Sequence, residues 1–272
     1  MRGPGAAIKG LCLGQSGRMK DGMADTLRFS PSAGWDEVRQ MLGSNMQLLV
    51  AVAGVFFLLP GLVLSFTMPA ITDISSLAAI AAVVQPYLPL IILASIIQMA
   101  GQLAIWTLVM AEDRPTVGEA IKAAILFLPF YFLINILTNI IVGAGLLLFI
   151  VPGIYLAVRL APVGVAAITE GIRNPFTAIQ RSFAVTRGNA LPIFAFLLIV
   201  LVVFVIISFA VTLVFTVIFG LVGMDVGPDG TGGSLLAVIS GIVSAAGTTV
   251  FTLMSVTIYR QLTGTDTPEV FS

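Results

Sequence analysis

From Leu191 to Val222 the chain runs through 32 residues, mostly Val, Ile, Leu and Phe, without one charged side chain. A helix of that length rises about 48 Å, more than the roughly 30 Å of hydrocarbon in a bilayer, and offers water nothing to solvate. A chain that contains such a stretch is restricted to membrane folds. Composition agrees: 58% of residues are hydrophobic and 10% charged, against about 45–50% and 25% in soluble domains. In lipid every backbone polar group must be satisfied internally. The spacing of the apolar runs predicts an all-α protein with six transmembrane helices.

The spans are expected at about 46–68, 87–110, 121–142, 150–169, 191–222 and 235–259, inside a membrane domain covering 30–264. Residues 1–29 read as a disordered tail without an apolar run long enough for a signal peptide, and 265–272 as a polar tail. Pro60-Gly61 predicts a kink in span 1. A short interfacial helix is expected within PAITDISSLAAIAAVVQP, and the GAG and VPG signals between Gly143 and Gly153 predict the turn between spans 3 and 4. Span 5 reads as lipid-facing. Span 6 reads as the packed helix, because Ala237, Gly241, Ala245 and Thr249 recur every four residues and let backbones approach.

Three segments read as short amphipathic helices at one membrane surface: SPSAGWDEVRQML, RPTVGEAIKAA, with Thr116 and Glu119 in capping-box spacing, and RNPFTAIQRSF. Each precedes an apolar hairpin, so the pattern predicts three repeated hairpin units. In the third, Asn174 suits the cap, Pro175 the first turn and Gly188 the stop. Phe176, Ile179 and Phe183 form its apolar stripe, with Gln180, Arg181 and Arg187 on the wet face.

Apart from Arg159, every Lys and Arg falls on one side of the six-span layout, and the three opposite connections hold only Asp73, Asp225 and Asp229. Excess Lys and Arg marks the cytoplasmic side, so both termini are expected there. Several chemistries find no support. Net charge is zero, which gives no bulk attraction to nucleic acid. Cys12 is the single cysteine and histidine is absent; no metal-ligand spacing, cofactor motif or catalytic constellation is recognisable, and no enzyme is expected.

Arg159 stands alone within an apolar run, where arginine costs about 2.5–3.5 kcal/mol on insertion scales and needs a partner. Glu170 is about 16 Å away along a straight helix, too far to pair. Gln98 with Gln102, and Asn135 with Asn139, are polar pairs four residues apart on spans 2 and 3. These four, or the open carbonyls near Pro152, are the expected partners of Arg159 in an intramembrane polar cluster, which would be a packing clamp or the lining of a headgroup pocket. Glu170, Arg181 and Arg187 are the interfacial candidates, with Glu170 expected to cap local structure or to pair with Arg173 or Arg181.

PGIYLAVR, the acidic residue after span 4 and AIQRSFAVTRGN resemble the glycerophosphoryl diester phosphodiesterase membrane domain and related six-span bacterial inner-membrane families. The resemblance spans roughly Ser30 to Gly264 and rests chiefly on Val151–Asn189. It implies a multi-pass bacterial inner-membrane protein; the phosphodiesterase domain that gives the family its name has no counterpart in this sequence, so its activity does not carry over. The reading is a non-enzymatic membrane module that organises lipids, a membrane-protein partner or a second copy of itself. The alternative is a small transporter or channel whose path follows the polar residues of spans 2–4.

Overall fold

The structure is a computed structural model that describes residues 28–69, 75–110, 117–227 and 230–264. Six helices among them are long and apolar enough to cross a membrane, and the regular elements described are all helical. The protein is a multi-pass membrane protein.

A first helix, α1 (Pro31–Ser44), lies across one end of the bundle and buries Gly34, Val38 and Met41. Its entry is fixed by two side chains from the far part of the sequence: Phe29 N–H donates to Asn189 Oδ1 at 3.0 Å and Ser30 N–H to Gln261 Oε1 at 3.0 Å. Phe29 is itself 3% exposed and packs at a tilt against Phe196, ring centroids 5.3 Å apart. It belongs to the core, one residue before the expected start at Ser30. At the same end Arg260 Nη2 donates to the Val109 carbonyl at 2.6 Å. The start of α1, the end of span 2, the start of span 5 and the end of span 6 thus share one face of the bundle, called the basic end below.

Span 1, α2 (Met46–Thr67), stays helical through Pro60-Gly61 but is not a regular α-helix throughout. Pro60 has no N–H to give the Phe56 carbonyl and its ring would crowd that oxygen. The helix widens one turn earlier into a π turn over Gly54–Leu58, where Leu59 N–H reaches back to the Gly54 carbonyl. The expected helix before span 2 is α3 (Leu77–Val84), capped by Ser76, whose hydroxyl accepts from Ala79 N–H at 3.1 Å. A 3-10 turn at Gln85–Tyr87 joins it to α4 (Leu88–Met110), so the two form almost one rod.

Span 3, α5 (Val117–Leu148), is longer at both ends than expected. At its start it absorbs most of the second amphipathic segment, which therefore is not a separate helix like the other two; Thr116 of the capping-box pattern lies outside the described residues. At its far end it runs through Gly143 and Gly145, and the connection shrinks to Phe149 alone, in extended conformation, before α6 (Ile150–Leu160). The glycines serve proximity instead of turning. A Cβ on Gly153 would stand 2.5 Å from the Leu146 side chain, and one on Gly145 would stand 3.0 Å from the Gly153 Cα, which lets the arms of the hairpin touch backbone to backbone.

Span 4 is broken: α6 ends at Leu160 and α7 (Val163–Thr169) resumes after Pro162. A surface helix, α8 (Pro175–Val185), follows, with Asn174 Oδ1 accepting from Phe176 N–H at 2.9 Å and Gly188 at φ +79°. Span 5, α9 (Ala190–Leu221), buries only Ile193 and Phe196. Span 6, α10 (Thr231–Thr263), buries a long series from Ala245 to Leu262. The lipid-facing and packed roles expected of these two helices are the ones observed, although α10 extends further at each end than 235–259.

The centre of the bundle is Trp106. Its Nε1–H donates to the Thr252 carbonyl at 3.1 Å, its ring meets Tyr131 edge-on at 5.3 Å, and its far edge lies over Gly164, where an added Cβ would approach within 2.4 Å. One indole brings α4, α5, α7 and α10 to a common level.

Candidate functional site

The expected polar cluster divides into three separate places. Arg159 does not meet Gln98, Gln102, Asn135 or Asn139. Gln102 Oε1 accepts from Tyr131 O–H at 2.9 Å beside Trp106. Asn139 Nδ2 donates to the Asn135 carbonyl and side chain at 2.8 and 2.7 Å, on an exposed part of α5. The Asn135 side chain also hydrogen-bonds Tyr131, so Gln102, Asn135 and Asn139 share one local network between spans 2 and 3.

Arg159 turns to α8. The break before Pro162 leaves the Arg159 carbonyl at a helix C-terminus, where four oxygens lack intrahelical donors; the Ser182 hydroxyl donates to it at 2.8 Å. In return the guanidinium serves the C-terminus of α8. Nη2 donates to the Phe183 carbonyl and Nε to Thr186 Oγ1 at 2.7 Å, while Nη1 donates to Tyr155 O–H at 2.6 Å. The rings of Phe183 and Tyr155 stand 5.0 and 5.5 Å from its central carbon. A cation at a helix C-terminus also opposes the negative end of the helix dipole. The two helix ends cap each other, and the guanidinium's neighbours are Tyr155 of α6, Phe183 of α8 and Thr186, the residue that caps α8.

This docking changes the buried face of α8. Ala178, Ile179, Ser182 and Thr186 face the bundle, Phe183 is half-buried under Arg159, and Phe176 is 65% exposed. The stripe Phe176, Ile179, Phe183 suits insertion into lipid, but small residues at Ala178, Ser182 and Thr186, four apart, allow α8 to lie against protein. That spacing was the signal in the sequence for it.

Glu170 pairs with Arg181 as one of its expected alternatives. Arg181 Nε donates to both carboxylate oxygens, at 2.6 and 2.9 Å, and Tyr259 O–H donates to Oε1 at 2.7 Å. The hydrogen bond to Glu170 raises the pKa of Arg181 above its ordinary value, against the opposing effect of burial. Tyr259 was not singled out in the sequence; an aromatic hydroxyl in an apolar run gives no sign of which helix it will reach. The pair is partly solvated, and exposed ion pairs contribute about 0–1 kcal/mol. The Arg187 side chain is exposed.

Gln98 occupies the third place, a cleft of about 320 Å³ between α2, α4 and α10. Phe57, Leu62 and Ala245 give it apolar walls, and Ser65, Gln98, Ser240, Ser244 and Thr248 give it polar ones. Ser65, Ser240 and Ser244 are exposed, so the cleft opens at the surface of the bundle. Ser244 lies about 12 Å along α10 from the Trp106 level, toward the end opposite the basic one. At this depth the neighbours of an exposed surface are lipid chains, which cannot bond a hydroxyl or an amide. Ser240 and Thr248 donate back to Ala237 and Ser244 carbonyls at 3.1 and 2.9 Å. The Gln98 amide and the Ser65 and Ser244 hydroxyls meet no hydrogen-bonding partner among the described residues. No group of three or more metal-ligating carboxylates or thiols occurs among those residues.

No family model, curated protein or solved structure matches the chain. The resemblance drawn from Val151–Asn189 therefore rests on its residues alone.

Proposed function

We propose that this protein is a non-enzymatic, lipid-organising module of the bacterial inner membrane that holds the polar part of a phospholipid in the cleft at Gln98. The observation that carries the reading is the cleft itself: amide and hydroxyl groups line an opening in an otherwise apolar, membrane-exposed surface. An unpaired amide in hydrocarbon costs several kcal/mol, and a lipid ester or headgroup would satisfy it while its tails lie along Phe57 and Leu62. The transport alternative drew on a shared path through spans 2–4; Arg159 is engaged on α8, and Gln102, Asn135 and Asn139 are bonded within their own network around Tyr131.

Protein purified in mild detergent is expected to retain phospholipid, with Gln98→Leu retaining several-fold less at an unchanged melting temperature. Equal retention by the two would contradict the cleft as the site. Solute flux in liposomes that Gln98→Leu abolishes would favour transport. The excess of Lys and Arg at the basic end makes that end cytoplasmic in this proposal. Reporter fusions after Arg187 and Ser272 are expected to give cytoplasmic signals, and one after Asp225 an external signal; a cytoplasmic signal at Asp225 would overturn the orientation.

A further inference from the structure

Of the described connections at the end opposite the basic one, two are polar. Ser75 and Ser76 are exposed before α3. Before α10, Asp225 holds a tight turn, accepting Gly227 N–H at 2.9 Å on its carboxylate and Gly232 N–H at 2.9 Å on its carbonyl. The third, between α5 and α6, has no polar side chain. Leu146–Val151 reads Leu-Leu-Leu-Phe-Ile-Val, and each of the six is between 46% and 90% exposed. Monomeric soluble surfaces rarely carry such a run, which marks contact with lipid or protein.

Length separates this hairpin from its neighbours. From the level fixed by Trp106, α10 continues about 31 Å to Thr231, whereas α5 continues only about 25 Å to Leu148 and the returning arm only about 22 Å from Gly164 to Phe149. The tip stops at least one helical turn short of the end of α10. It is also continuous with the apolar, exposed sides of Leu133, Ile136 and Ile140 on α5 and Ile154 on α6, which form part of the lipid-facing belt.

Irregular backbone is excluded from the hydrocarbon interior, and the connection is built to minimise it. Phe149 is its single extended residue. Phe149 N–H donates to the Gly145 carbonyl at 3.0 Å and Gly153 N–H to the Phe149 carbonyl at 3.3 Å, so hydrogen bonding runs into and out of the turn. Pro152 carries no N–H to satisfy. The N–H groups of Ile150 and Val151, at the start of α6, are the donors a helix N-terminus leaves over, and ester oxygens or water at the leaflet border can take them.

We infer that the α5–α6 hairpin ends in an apolar wedge, Leu146–Val151, embedded among the acyl chains nearest the headgroups of the leaflet opposite the basic end. The wedge deepens the lipid-organising proposal with a second lipid contact on another side of the bundle. Its test reads depth alone, so it can fail or hold independently of the cleft.

The experiment uses the full chain in phospholipid nanodiscs, with Cys12 replaced by serine and one cysteine introduced for a nitroxide label at Leu147, Leu148, Val151 or, as the aqueous reference, Val226. At the three wedge positions collision with oxygen is expected to exceed collision with a water-soluble nickel chelate several-fold, with the order reversed at Val226. Impermeant maleimide is expected to label Val226→Cys at least ten-fold faster than Leu147→Cys. Nickel collision at Leu147 equal to that at Val226 would place the tip in water and overturn the inference. Low collision with both reagents would place it under protein, a second copy of the chain, and would also overturn it. Because the three wedge positions are exposed, a variant that fails to fold can be set aside and the others read.

Discussion

Replacing Arg159 with methionine is expected to lower the melting temperature in detergent by on the order of 5–10 °C. The change removes the donors to the Phe183 carbonyl, Thr186 Oγ1 and Tyr155 O–H together. A buried polar group left without a partner costs about 1–3 kcal/mol. The Phe183 carbonyl is the oxygen with least recourse, since it sits at the end of α8 against protein and its intrahelical donor is missing. Methionine fills much of the volume, and apolar replacement of a polar network is sometimes neutral, but here the acceptors would remain behind. Arg159→Lys keeps a charge for the C-terminus of α8 while losing the fork that reaches a carbonyl and two hydroxyls at once. It is expected to fall between methionine and parent. Thr186→Val in each background isolates one of these bonds: the coupling between positions 159 and 186 is expected at about 0.5–3 kcal/mol, and additive losses would mean that the two side chains act separately. If Arg159→Lys and Arg159→Met both melt like the parent yet release a bound lipid, Arg159 belongs to a binding site and the mutual capping described above is not its role.

Gly164→Ala is expected to be comparably severe although it adds one methyl group. Its Cβ would stand 2.4 Å from the Trp106 ring and 2.8 Å from that of Tyr131. Trp106 has little freedom to withdraw, because Nε1 is tied to the Thr252 carbonyl at 3.1 Å and its ring to Tyr131 at 5.3 Å. Overpacking of this kind costs about 1–3 kcal/mol, at times more. Trp106→Phe, destabilising alone through lost volume, is expected to cost less in the Gly164→Ala background than in the parent. Gly43→Ala provides the contrast: Gly43 is exposed within α1 and an added Cβ would meet nothing within 4 Å, so the gain of about 1 kcal/mol in helix propensity is expected to appear as a slight rise in stability.

The fold and the candidate sites were legible to different degrees for a physical reason. Membrane helices are specified locally: an apolar run of sufficient length is enough, so Leu191–Val222 declared itself, as did the caps at Asn174 and Gly188. The depth of helix ends was less clear, because Gly143 and Gly145 give the same signal whether a glycine makes a turn or lets a second helix approach. Phe149 became the turn because close packing against Gly153 claimed those glycines for the arms. Partners of polar side chains were the least accessible. Gln98, Gln102, Asn135, Asn139 and Arg159 all needed partners, which composition alone established, but the choice depended on rotation and depth of each helix. Asn135 and Asn139 satisfied each other four residues apart, and Arg159 found its acceptors on α8, whose Ala178, Ser182 and Thr186 spacing matters only once the helix is known to lie against protein. Tyr259 joined Glu170 through a contact 89 residues away in sequence, for which no local pattern exists.

The claim that the cleft at Gln98 holds lipid is tested most directly by a phospholipid that carries a photoreactive diazirine near its glycerol, activated in nanodiscs containing the full chain, with adducts mapped by peptide mass spectrometry. The account predicts adducts concentrated on the cleft walls, at Gly61–Ser65 and Ser240–Thr248, and several-fold fewer there in Gln98→Leu, with labelling of α9 unchanged. Adducts spread evenly over the exposed faces of α5, α9 and α10, and indifferent to Gln98→Leu, would contradict it.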